Sequence, residues 1–100
     1  MTNQKFINHD CEQVAKYALN IIRSKAPNKT ERLYTCKAEM LFYDEFVALR
    51  SYNTIVAVYE HNGYLFDILR LVYGYTATSA QHIAKFARYC NAEKILRWMM

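Results

Sequence analysis

The sequence predicts an α+β fold: a small antiparallel meander sheet of three to four strands, with an N-terminal and a C-terminal helix packed on one face. Three observations predict it. Runs of β-branched and aromatic side chains, separated by short turn signals, fill the middle of the chain. Stripes of apolar residues at helical spacing flank those runs on both sides. A composition 53% hydrophobic, with only two Gly and one Pro, calls for a packed core. One hundred residues are enough for one domain, 1–100, and too few for two.

Residues 1–8 carry little pattern and read as an arm or as a short strand through Phe6-Ile7. Asp10, with Gln13 three residues on, fits an N-cap, so the first helix is expected to start near Cys11. Cys11, Val14, Ala15, Ala18, Leu19 and Ile22 then fall on one apolar face, while Glu12, Lys16, Asn20 and Arg23 point elsewhere. Pro27 disfavours a helical conformation for the residue before it, which ends the helix near Ala26. Asn28-Lys29-Thr30 are expected to make a turn. From Glu31 to Tyr43 two readings stay open: a helical stripe through Leu33, Cys36, Lys37 and Met40-Leu41, or a strand at Leu33–Cys36. An extended segment is favoured around Met40–Tyr43, turning at Asp44-Glu45 into Phe46–Arg50. Tyr52-Asn53 form a tight connection into Thr54.

The stretch from Ser51 to Phe86 organises the rest. Thr54–Tyr59 and Tyr64–Leu69 are dense in strand formers, and Asn62-Gly63 between them suits a type I′ two-residue hairpin loop. The second strand is expected to continue through Arg70-Leu71-Val72-Tyr73 and to stop at Gly74. Thr78-Ser79-Ala80-Gln81 fits a capping box. Behind it, Ile83, Phe86, Ala87 and Cys90 make one buried stripe of a helix over Ser79–Tyr89. Asn91 breaks that helix, and Ala92–Trp98 reads as a short helical tail with Ile95, Trp98 and Met99 on one face.

Little in the chain points to catalysis. Zinc sites need close Cys or His pairs supplying four ligands, and His9 with Cys11 is the one close pair, so no metal is expected. His82 and Cys90 are eight residues apart, but the stripe puts Cys90 in the core, where a thiol is inert. For His82 a structural hydrogen bond to the sheet is expected. No Gly-rich loop is present to cradle phosphate, and Asp44-Glu45 are explained by a solvated turn. The protein is therefore expected not to be an enzyme and to need no cofactor. The longest apolar runs fall well short of the roughly 18–20 residues that span a bilayer. Residues 1–5 lead into no signal-peptide segment. Three widely spaced cysteines, Cys11, Cys36 and Cys90, fit a reduced cytoplasmic setting better than a disulfide framework.

Binding chemistry has more support. The net charge is +4 and there are nine tyrosines, a side chain that offers rigid contact area with one polar handle. Lys85 and Arg88 lie three residues apart, and Lys94 and Arg97 repeat the spacing, with Arg23 and Lys25 adding to the field. The candidate partner-binding residues are Tyr52, Tyr59, Tyr64, Lys85, Arg88, Lys94 and Arg97.

Ser51-Tyr52-Asn53-Thr54 with Val56-Ala57, followed by Tyr75, Thr78-Ser79, His82-Ile83 and Phe86, resembles a pattern in small phage and plasmid proteins, in which an SYxTxVA hairpin precedes a TTSxxHIxxF helix. The likeness covers about a third of the chain. It departs at Ala77, where the pattern has Thr, and the N-terminal helix is an addition. The pattern has no established catalytic residues, so none carry over. What the resemblance implies is a mobile-element origin and a non-enzymatic inhibitor of a host defence complex, anti-CRISPR in kind. Such a protein would act in the host cytoplasm by stoichiometric binding and occlusion of a host protein or ribonucleoprotein. The alternative is a small nucleic-acid-binding or regulatory protein using the basic C-terminal helix. A third reading, a homodimer, rests on the surplus of aromatic surface.

Overall fold

The computed structural model describes residues 4–34, 37–69 and 77–97. Helix α1, Gln4–Ser24, contains no Gly or Pro to interrupt it. It begins before the expected cap, so Asp10 lies inside the helix. Most of its predicted stripe holds: Cys11, Ala15 and Ala18 are buried, with Val14 and Ile22 packed at their margin, while Leu19 is partly buried and outside that cluster.

Among the described residues six strands follow: β1 Lys29–Arg32, β2 Ala38–Phe42, β3 Val47–Ser51, β4 Thr54–Tyr59, β5 Tyr64–Asp67 and β6 Lys94–Arg97. They lie side by side in chain order. The first five form an antiparallel meander, and β6 joins β5 in parallel after the crossover helix α2, Ala77–Cys90. A parallel neighbour requires such a crossover. The class is α+β as expected, but the sheet is larger than three or four strands and is mixed. Two segments account for the difference. Residues Lys29 and Thr30, expected in a turn, open the edge strand β1, where the Asn28 N–H already donates to the Phe42 carbonyl at 2.7 Å. The expected helical tail is β6. Asn91 adopts φ 55°, and the Asn91 and Ala92 amides donate to the Arg88 and Ala87 carbonyls, which closes α2 in a Schellman arrangement. The chain is thereby turned back to the sheet.

The helices do not share a face. α1 packs with Leu41, Phe46, Ala48, Val58, Phe66 and Leu96, whereas Ile83 and Phe86 of α2 pack with Met40, Leu49, Val56, Ala57 and Leu65. The molecule therefore has three layers, with the sheet in the middle. Alternation along the strands sends Leu65 and Ile95 to α2 and Phe66 and Leu96 to α1. In β4 a register shift opposite Leu49 and Arg50 puts Val56 and Ala57 on the same side, which is a β-bulge.

The turns differ from expectation in an informative way. At the β4–β5 hairpin only Gly63 has positive φ (96°), and the Gly63 N–H donates to the Glu60 carbonyl at 3.2 Å. The loop is thus three residues, His61 to Gly63, with Gly63 in the left-handed position, and not a type I′ pair. The type I′ signature sits at the β3–β4 turn, where Tyr52 (φ 54°) and Asn53 (φ 86°) join the paired Ser51 and Thr54. β5 closes at Asp67, whose carboxylate accepts the Leu69 amide at 3.1 Å. The expected continuation through Arg70–Tyr73 lies outside the described residues, as do Thr35, Cys36, Gly74, Trp98 and Met99. Thr78 falls inside α2, so it is not the N-cap.

Candidate functional site

The two halves of the sequence pattern meet in space. Ser51 ends β3 with its side chain toward α2. There its Oγ lies 2.8 Å from His82 Nδ1 and 3.0 Å from Ser79 Oγ. The partners are 31 and 28 residues away in sequence. All three side chains are buried. The Ser79 hydroxyl, the Ser51 hydroxyl and His82 Nδ1 form one hydrogen-bonded chain, because each hydroxyl can both donate and accept and so complements a neutral imidazole. Burial holds the His82 imidazole below its ordinary pKa, and the nearby Lys85 ammonium acts in the same direction. Ser51 is only 2% exposed, so its oxygen is closed to a substrate and the contact serves to lock hairpin to helix. This is the hydrogen bond to the sheet that the sequence led us to expect for His82.

Tyr52 stands on this node. Its ring lies 5.7 Å from the His82 ring, centroid to centroid, tilted by 36°, and the residue is still 56% exposed. Left-handed backbone costs a non-glycine residue about 1–2 kcal/mol. The turn, the node and the ring contact together hold that conformation.

Beside the turn, Arg32, Lys37, Ala38, Glu39, Arg50, Tyr52 and Asn53 line a groove of about 260 Å³. Arg32, Glu39 and Arg50 are cross-strand neighbours on β1, β2 and β3, and the Arg50 guanidinium donates to Glu39 at 2.5 Å. The lining carries three cations against one carboxylate.

The seven candidate residues do not form one surface. Tyr52 and Lys85 flank His82. Arg88 lies one turn further along α2 and is exposed. Tyr59 ends β4, about 20 Å of strand away from the Tyr52 turn, and packs half-buried at the margin of the α2 core. Tyr64 and Lys94 are paired neighbours on β5 and β6, on α1's side of the sheet by alternation with Leu65 and Ile95. Arg97 is on β6, with its Nε 3.3 Å from Asp67. The groove cations are not recognisable in the sequence because Arg32 and Arg50 come together only through strand register, each opposite Glu39, with Lys37 just ahead of β2. Among the described residues three further tyrosines, outside that set of seven, are exposed: Tyr17, Tyr34 and Tyr89. Tyr34 and Tyr89 meet edge to face at 6.2 Å, with the Tyr89 hydroxyl 3.4 Å from Glu31.

Burial pushes the Cys90 thiol up to about 12, which keeps it protonated and unreactive. Among the described residues, no three His, Cys, Asp or Glu side chains gather as a metal site, and no helix is long and apolar enough to cross a membrane. Neither the family models nor the curated proteins nor the solved structures contain a match to this chain.

Proposed function

We propose that this chain is a non-enzymatic interaction protein that inhibits a host defence complex, anti-CRISPR in kind, by stoichiometric occlusion. The Tyr52–Asn53 turn and the groove beside it form the centre of its contact surface. One observation carries the reading: Ser51, Ser79 and His82 of the pattern that resembles phage and plasmid proteins meet in a single node, and on it stands an exposed tyrosine, Tyr52, in contact with the His82 ring. Strained, over-determined backbone is most often kept where it serves a function. A preset tyrosine also loses little freedom on binding, so more of its contact area appears as affinity. The alternative built on a basic C-terminal helix is weakened, because Lys94 and Arg97 belong to β6 and only Lys85 and Arg88 remain on α2.

The test is a titration of the purified protein into a panel of CRISPR effector complexes while target-DNA binding is followed. Inhibition that saturates at a fixed molar ratio supports occlusion. Inhibition that keeps growing with time at substoichiometric dose would show turnover and contradict it. No effect on any complex would remove the defence assignment.

A further inference from the structure

We propose that the groove beside the Tyr52–Asn53 turn is a site for a single-stranded polynucleotide, with Arg32, Lys37 and Arg50 on backbone phosphates and Tyr52 stacked against a base. The proposal deepens the inhibitor reading by naming the chemistry of the partner's contact, and it rests on that reading only for the role of Tyr52. Charge is the first support, since three cations converge on a groove with a single carboxylate, Glu39. Two of the three are arginines, whose planar donor fork matches phosphate oxygens. Glu39 engages Arg50 and so fixes where that guanidinium points.

Size is the second support. At about 260 Å³ the groove falls just under the ~300–1,000 Å³ of small-molecule pockets, so it suits one unit of a longer chain better than a whole metabolite. Tyr52 is the third. One side of its ring meets His82, and the residue, still 56% exposed, belongs to the lining of the groove. A cationic track beside an aromatic platform is the arrangement by which single strands are held without sequence preference.

The experiment is fluorescence anisotropy of labelled oligo-dT and oligo-rU between low and physiological salt. Three phosphate contacts predict a slope of log affinity against log salt of about −2, at ~0.7 per contact on a single strand. The double variant Arg32→Gln, Lys37→Gln should bind more weakly and reduce the slope to about −0.7. Tyr52→Leu should lose about tenfold in affinity with the slope unchanged. Should the double variant melt early, Lys37→Glu alone, at an exposed turn position, carries the same test. No binding at low salt, displacement by polyglutamate as readily as by oligonucleotide, or a folded double variant that binds like wild type would overturn the site. Inhibition of an effector complex by a protein that binds no strand would overturn this site and leave the inhibitor reading standing. Strand binding without inhibition would support this site and overturn the inhibitor reading.

Discussion

His82 illustrates how one buried side chain ties distant parts of this chain together. With its imidazole neutral in the fold, the unfolded chain takes up a proton near pH 6.5 while the folded chain resists. The unfolded state then holds more protons, so the stabilisation is complete above about pH 6.5 and is lost as pH falls below it toward the depressed folded value. The denaturation midpoint should therefore fall between pH 7 and pH 5, and His82→Gln should flatten that dependence; an unchanged slope in the variant would show that the ring is not held neutral. Ser51→Ala removes the hydrogen-bond partner of His82 Nδ1 in a buried setting, which predicts a loss of about 1–3 kcal/mol in chemical denaturation. The first half of this node, a histidine bonded to the sheet, was legible in the sequence. Ser51 as its partner was not, because nothing local connects residues separated by 31 positions.

At the level of elements, the turns carry most of what was not legible in the sequence. Asn-Gly suggested the type I′ loop at residues 62–63, yet the positive-φ pair is Tyr52-Asn53 and Gly63 closes a three-residue loop. Local pair preference was overridden by register, since Tyr59 pairs with Leu65 and the Glu60 N–H donates to the Tyr64 carbonyl at 2.9 Å, which leaves three residues to turn. Gly63 also accepts the Glu93 and Lys94 amides, at 2.8 and 3.3 Å, which ties the start of β6 to the hairpin. Gly63→Ala should cost about 1–3 kcal/mol, read as a lower denaturation midpoint. The cause is the left-handed φ, because the nearest neighbour, the Glu93 side chain at 3.1 Å, is flexible enough to move. The strands β1 and β6 were missed for different reasons. Lys29–Arg32 is a largely exposed edge strand with no apolar alternation to read. The apolar residues from Ile95 onward are too few to separate a helical period from a strand.

Across the whole molecule, both helical stripes were legible and their placement was not. An amphipathic stripe shows that a helix has a buried side, and says nothing of which face of a sheet it covers. The strands hold that information: β2, β3, β4, β5 and β6 carry apolar residues on both faces, as a sheet covered on both sides must. Phe86 anchors the α2 layer and is fully buried. Phe86→Ala should cost about 3–5 kcal/mol, a large share of the ~5–15 kcal/mol of a domain this size, so a thermal melt should move strongly downward. Of the candidate site, Tyr52 was legible as a turn tyrosine, whereas Arg32 and Arg50, brought together across Glu39, required the register of three strands.

If Tyr52 is kept at a strained turn position for what it presents outward, its ring and the stability of the turn should be separable. Wild type and Tyr52→Asn are therefore to be compared for inhibition of an effector complex, with a thermal melt on the same samples. Asparagine tolerates left-handed backbone, which offsets the loss of an aromatic contact of about 0.5–1.5 kcal/mol. The melting temperature should thus stay within about 4 °C of wild type. Inhibition should be lost at that unchanged stability. A variant that melts like wild type and inhibits as well would contradict the outward role of Tyr52 and reduce the turn to a connector between two strands.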